Sequence, residues 1–507
     1  MHLKKQAHRI RKDCRNGRGF IQQYPKTQNI SPPGGAAVRF NMEKDIMNKT
    51  LVTAAMVIMG GAALFALDVP RFRGDNSQGM YLQEKGLMKT WPQQGLTPKW
   101  TATGLGEGWS SVIKVGNRLY ITGTVSSGAQ QGAAAPQQGP QRQQGGMGGR
   151  GGRGGRQGGA QQGGGQRKEC VFCLDLDGKE IWKTETGTPW ERSYPGARST
   201  PTYVPGEKEG EGRLVVTTGS GELFCLNAAD GKIVWSKNIA NEYGSNFGMW
   251  AMAECPVVKD GVVYVTAGGS KALVVALKVA DGSEVWTAKS NGDTLAYVTP
   301  AIVRDQLIVM TGKKVNGISL KDGTVMWEDN YAQTMGLGGG MGGGVNCNAP
   351  TVDGDRFLIS AGYDGGGVVY ELNKDGKGVK VIWKNKALDP HHDCAVLVDG
   401  KLYTSNWTSN NSGKWLCVDW ESGETIYETQ WDRLGKGCVI YADGLIYMYE
   451  ENRGTLAIAR PSEKLDIVSS FQINYGNKEH WAHPVICDGV LYLRHGDTLG
   501  AFDIKAK

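Results

Sequence analysis

The chain of 507 residues is 40% hydrophobic and 21% charged, which excludes wholesale disorder and allows a large core. Its 75 glycines follow no Gly-X-Y period, so it is not collagen-like, and Asp-Gly pairs recur among 15 Trp and 18 Tyr, a composition that points to an all-β chain rich in tight turns. The net charge of +7 arises from residues 1–50, with 11 Lys/Arg and 3 Asp/Glu, and from residues 124–168, with 6 Lys/Arg and no acid; the remainder is net acidic, which argues against a nucleic-acid-binding face.

In chain order, residues 1–46 resemble no signal n-region and read as a non-native upstream extension. Residues 47–66 read as a secretory signal peptide: Met47-Asn48-Lys49-Thr50, an uncharged run from Leu51 to Phe65, then Ala66 at the cleavage site. The run is short for a membrane span, so an uncleaved inner-membrane anchor is the lesser alternative. No Cys follows it, so lipid attachment there is not expected. This predicts a periplasmic or extracellular protein without an integral membrane domain after cleavage. Residues 67–97 form an N-terminal segment.

From residue 98 onward one unit recurs eight times, mostly every 43–55 residues: an apolar strand, a turn, a Tyr- or Val-rich strand ending in Gly, a third strand, then Asp-Gly and a fourth strand with Trp. That is the period of four-stranded propeller blades. The second half is clearest in Leu226-Asn-Ala-Ala-Asp-Gly-Lys-Ile-Val-Trp235 and in the segments ending at Trp182, Trp286 and Trp327. It weakens at Trp383 and at Tyr427, and the seventh copy has lost it. Residues 124–168, almost without apolar side chains, are expected to be a disordered Gly/Gln/Arg insert between the second and third strands of blade one. The eighth unit lacks a fourth strand, and Lys99-Trp100-Thr101-Ala102 supplies one, so an N-terminal strand closes the ring. The predicted fold is an all-β, eight-bladed propeller of four-stranded antiparallel blades. Trp100, Trp182, Trp235, Trp286, Trp327 and Trp383 are its structural docking residues, and Trp190, outside the pattern, is expected to matter less. Cysteines that recur once per repeat read as small buried residues rather than disulfides, and Cys170-Val-Phe-Cys173 places its two thiols on opposite faces of a strand.

Ala-x-Asp-Gly-x-x-x-Trp at blade spacing resembles the tryptophan-docking repeat of the pyrroloquinoline quinone (PQQ)-like propeller superfamily. Arg71-Phe-Arg-Gly74, Gly104 to Ser111, Leu434 to Gly437 and His483 to Asp503 also resemble secreted bacterial PQQ-repeat proteins, and more distantly BamB-type proteins. The resemblance implies the fold; members differ in function. Two departures stand out: the adjacent cysteine pair usual beside the cofactor of quinoprotein alcohol dehydrogenases is absent, and so is the lipidation Cys of BamB-type proteins.

In a propeller the segments preceding the innermost strands converge at one mouth of the central channel. Here they carry aromatic, amide, imidazole and charged residues, and hold four of the five histidines beyond residue 46. The predicted ligand-binding set is Trp109, Arg198, Trp250, Glu254, Tyr297, Asn348, His391, His392, Lys436, His480, Trp481 and His483, with the four histidines on one face and Arg198, Trp250 and Glu254 opposite. Glu254, Asp393 and His391 are the catalytic candidates, and His391, His392, Asp393, His480 and His483 the metal-ligand candidates. The expected function is a secreted ligand-binding or scaffold propeller. Its partner would be a small polar molecule or glycan, or another envelope protein, and not nucleic acid. One alternative is a PQQ-dependent oxidoreductase binding PQQ with Ca²⁺, with Asp393 or Glu254 as base and Arg198, Asn348 and Lys436 contacting the quinone. Another is a carbohydrate-active enzyme using a Glu254/Asp393 pair or a His391/Tyr297 base.

Overall fold

The computed structural model describes residues 67–126, 166–208, 211–337, 345–432 and 434–507. The expected extension, the signal peptide and most of the insert lie outside these residues. Eight antiparallel sheets form the blades of a propeller. Blade one contains Ile113–Val115, Arg118–Ser126, Arg167–Leu174 and Glu180–Gly187; blades two to seven span residues 202–238, 257–289, 301–330, 351–385, 396–429 and 437–472. Blade eight joins Val485–Cys487, Val490–His495 and Thr498–Asp503 to the N-terminal strand Trp100–Ala102, which pairs antiparallel with Thr498–Asp503 and closes the ring.

The insert is shorter than the sequence suggests. Strand pairing in blade one runs out to Ser126 opposite Arg167, so residues 124–126, 167 and 168 belong to the hairpin arms. Arg167 is held there by Glu107 at 2.7 Å and Glu191 at 2.8 Å.

Middle strands such as Leu445–Glu450 are buried along their whole length, because each is covered by a blade on either side, whereas outer strands such as Glu284–Lys289 bury only alternate residues. The outer strands of blades one to six each carry a register shift beside their Trp or Tyr position, as between Ile233 and Trp235. This bulge turns the indole toward the next blade. There the ring lies over the glycine of that blade's turn, an Asp-Gly pair in all but blade six, where it is Ser422-Gly423. Gly282 has φ +72°, and a Cβ on it would stand 2.8 Å from Trp235; Gly178, Gly231, Gly323 and Gly423 meet Trp100, Trp182, Trp286 and Trp383 in the same way. Most of these indoles also donate a hydrogen bond into the neighbour, as Trp235 does to the Val279 carbonyl and Trp286 to that of Leu320. Trp327 acts through Gln306 of its own blade, whose amide donates to the Gly376 carbonyl of blade five. Trp190 is buried as deeply as Trp286, against Phe247, so the expectation that it matters less is not supported by its packing.

The role of residues 67–81 was not legible in the repeat pattern. This segment crosses the central channel and satisfies inner-strand groups of several blades. Val69 bridges Lys114 of blade one, the Pro70 carbonyl accepts from Tyr203 of blade two, the Asn76 amide pairs with both backbone groups of Ile302, and Gln78 bonds Val352. Met80–Tyr81 then adds a parallel fifth strand to blade seven. All nine cysteines among the described residues are free, and all but Cys347 are buried, consistent with a packing role. No helix among the described residues is long and apolar enough to cross a membrane.

Candidate functional site

Where each blade's first strand begins and its second strand ends, the chain faces the same mouth of the channel. A cavity of about 500 Å³ opens there, floored in part by Phe72 of the crossing segment. Trp109, Arg198, Trp250, Tyr297, His391, His392, Trp481 and His483 all line it. Trp481 is the centre of an aromatic cluster: its ring lies 5.3 Å from Trp109, 5.1 Å from Tyr194 and 4.5 Å from His392. Tyr194, 46% exposed, stands at the rim.

Other expected members lie outside the cavity. Glu254 is buried, with Oε1 accepting from the Thr266 amide; burial pushes its carboxyl up to about 8. Asp393 accepts from the amides of Cys394, Ser405 and Val439 and from the Thr404 hydroxyl. The Asn348 amide donates to the Pro390 carbonyl. His480 turns away: its Nδ1 is 2.6 Å from the Tyr449 hydroxyl and its ring stacks on His495 at 3.7 Å. The four-histidine face is therefore three histidines, and neither Glu254 nor Asp393 lines the cavity. Both carboxylates are absorbed in tying the starts of inner strands to neighbouring backbone.

The site contains residues the sequence pattern missed. Tyr363, Glu451, Asn410, Asn411, Asn452 and Glu479 also line the cavity. The first five follow second strands or sit between second and third strands, and antiparallel alternation brings those loops to the mouth where first strands begin; that alternation was the available signal. Tyr363 has φ +59° and Tyr194 φ +49°. Each holds an aromatic side chain at the cavity on left-handed backbone, at a cost of roughly 1–3 kcal/mol.

Charge is arranged in two groups. Lys436, fully buried just behind the wall, places Nζ 2.6 Å from Glu451. Glu451 also lies 3.0 Å from His391 Nδ1, and His391 Nε2 lies 2.8 Å from the Tyr363 hydroxyl. Burial raises the Glu451 carboxyl, but His391 and Lys436 outweigh it and hold it below the usual glutamate range. The second group is Arg198, half-buried, with its guanidinium 5.2 Å over Trp109. It donates to the carbonyls of Ser193, Tyr194 and Gly196. Among the described residues no carboxylate is within ion-pair distance of it; burial lowers it to about 10, so it stays charged. Arg73 donates to His483 Nδ1 at 2.9 Å, which leaves His483 Nε2–H to donate to the His392 carbonyl. Burial keeps His392 and His483 neutral.

The expected metal set does not assemble, because Asp393 and His480 face elsewhere and His483 Nδ1 is engaged by Arg73. His391, His392 and Glu451 do bring donor atoms within 4.8 Å of one another. However, the Lys436 ammonium lies against that carboxylate, and both His391 nitrogens already have partners. The PQQ-with-Ca²⁺ arrangement fits no better. The aromatic planes and Arg198 suit a planar acid, but the carboxylates that would hold a divalent ion, Glu254 and Asp393, are engaged by backbone amides in the wall, and of the expected oxygen donors only Asn348 Oδ1 has no hydrogen-bond partner among the described residues.

Eight blades, six of them docked by a Trp, with a polar, aromatic cavity at one mouth define a PQQ-repeat propeller. The PQQ-repeat family described as outer membrane protein assembly factor BamB matches residues 167–429, just over half of the chain, and the chain belongs to that family. BamB of Yersinia pestis is 26% identical over 175 residues, which cover 34% of this chain and 41% of its own length. A polyvinylalcohol dehydrogenase from a Pseudomonas species is 28% identical over 177 residues, covering 31% of this chain and 28% of its own. The chain thus spans less than half the length of these relatives. The quinohemoprotein alcohol dehydrogenase of Comamonas testosteroni shares the fold, with a TM-score of 0.54 at 11% identity over 87% of this chain and 81% of its own.

Proposed function

We propose that the propeller binds an acidic small molecule of the saccharide class in the channel-mouth cavity. The observation that carries this reading is Arg198: a charged guanidinium without an ion-pair partner among the described residues, lining a cavity walled by indole and phenol rings. Three of its five N–H groups are used on carbonyls, leaving donors for a carboxylate. The flat faces of Trp109, Trp481 and Tyr194 suit the C–H face of a sugar ring. The side-chain amides of Asn410, Asn411 and Asn452 suit hydroxyls, as does Glu479 with its unpartnered Oε2. Export through residues 47–66 belongs to the same reading, since it would present the cavity to envelope or external solutes.

Isothermal calorimetry tests it with methyl β-D-glucuronide against methyl β-D-glucoside, and with PQQ plus Ca²⁺ as a third probe. The glucuronide should bind at least about tenfold more tightly than the glucoside, the worth of one charge-assisted hydrogen bond, and Arg198→Gln should erase that preference. Equal affinity for the acid and the neutral sugar would sink the reading. Tight binding of PQQ with a bound-quinone absorbance band would replace it with the dehydrogenase reading.

A further inference from the structure

We propose that Glu451, His391 and Tyr363 form a proton relay that takes the proton beside the carboxylate of the bound acid, so that the cavity is a site of proton transfer at carbon. This rests on the acidic-ligand reading above and extends it.

The chain of contacts is continuous. Lys436 Nζ lies 2.6 Å from Glu451 Oε1, both Glu451 oxygens lie 3.0 Å from His391 Nδ1, and His391 Nε2 lies 2.8 Å from the Tyr363 hydroxyl. An ionised carboxylate only accepts, so Nδ1 carries the ring proton and Nε2 is left as the acceptor for the Tyr363 O–H. The Tyr363 oxygen then presents its remaining lone pairs to the cavity that Tyr363 lines. A tyrosine serving packing alone needs neither an oriented base behind it nor a buried ammonium behind that base. Left-handed backbone at Tyr363 (φ +59°) and Asp364 (φ +65°) makes the tight turn of the blade-five hairpin, closed by the Gly365 amide donating to the Gly362 carbonyl, and that turn sets the phenol at the mouth. The buried acids Glu254 and Asp393 are committed to backbone amides and do not compete for this role.

The step balances without a co-reactant. The C–H bond next to the ligand's carboxylate breaks, and its electron pair stays on the ligand, delocalised into the carboxylate, whose charge Arg198, lining the same cavity, would offset. The proton bonds to the Tyr363 oxygen as that oxygen's own proton passes to His391 Nε2, and the resulting imidazolium faces ionised Glu451. Reversal returns a proton to the carbon, which in heavy water is a deuteron. Tyr363 is the catalytic residue; Glu451 and Lys436 act through His391 and are positioning residues.

The test follows ¹H NMR of methyl β-D-glucuronide in D₂O with the full chain, recording loss of the H-5 signal, alongside calorimetric binding of the same probe. Wild type should exchange H-5. Tyr363→Phe and Glu451→Gln should slow exchange at least about a hundredfold, the scale of general acid–base catalysis, while binding stays within a few-fold. Glu451→Asp should recover part of the rate. Binding without exchange, or exchange by Tyr363→Phe at the wild-type rate, would overturn the relay and leave the binding reading standing. Failure of the probe to bind would overturn the acidic-ligand reading and the relay with it.

Discussion

At the residue scale the same side chain takes opposite roles by what surrounds it. Glu451 is buried against an ammonium and an imidazole and stays ionised, whereas Glu254 is buried against one amide and one strand and is pushed up to about 8. Glu254 therefore holds a proton in the folded protein over a range where the unfolded chain, titrating near 4.5, has lost it. The folded state binds more protons there, so stability falls as pH rises, from about 4.5 through 8. Unfolded histidines, titrating near 6.5, still take up protons until about pH 7.5 and act in the opposite sense, so the Glu254 effect is read as the difference between wild type and variant. In urea unfolding between pH 6.5 and 8 the stability change of Glu254→Gln should be more favourable than that of wild type by about 1 kcal/mol. An identical pH dependence in the variant would contradict the assignment. Residue types at the mouth were legible because aromatic and imidazole side chains cluster ahead of inner strands. Side-chain direction was not: Glu254, Asp393, Asn348 and His480 occupy the expected segments and point into the wall, since an extended chain turns successive residues to opposite sides.

At the scale of the element, the repeat is a bulge, an indole and a glycine acting as one joint. The bulge beside Trp286 aims the ring at blade four, where it lies over Gly323 and donates to the Leu320 carbonyl. Removing the ring should open a gap between blades, so Trp286→Ala should cost about 3–5 kcal/mol. Adding a Cβ to Gly323 forces it to within 2.5 Å of that ring at φ +74°, so Gly323→Ala should also destabilise. Because the two changes act on one contact, the double variant should lose less than the sum. Strict additivity by denaturant titration would show that the joint is not shared. This level was almost fully readable, because spacing alone places Asp-Gly four residues before Trp. The exception is Trp327, whose partner Gln306 lies far from the motif.

At the scale of the whole molecule, ring closure by Trp100–Ala102 was legible because the eighth unit visibly lacks a strand. The channel-crossing segment was not: residues 67–81 carry no repeat, and their hydrogen bonds go to inner strands of blades scattered along the chain. The loops that bring Tyr363 and Glu451 to the cavity follow from strand alternation, but their pairing through His391 is a product of the closed ring, which brings the mouths of blades five, six and seven together. The proposed acid-binding role of that cavity rests on Arg198 as its anchor. A crystal structure with methyl β-D-glucuronide soaked in tests this most directly. The carboxylate should lie within hydrogen-bond distance of Arg198, with the sugar ring against the Trp481 cluster. A ligand bound elsewhere, or seated in the cavity with its carboxylate turned away from Arg198, would contradict it.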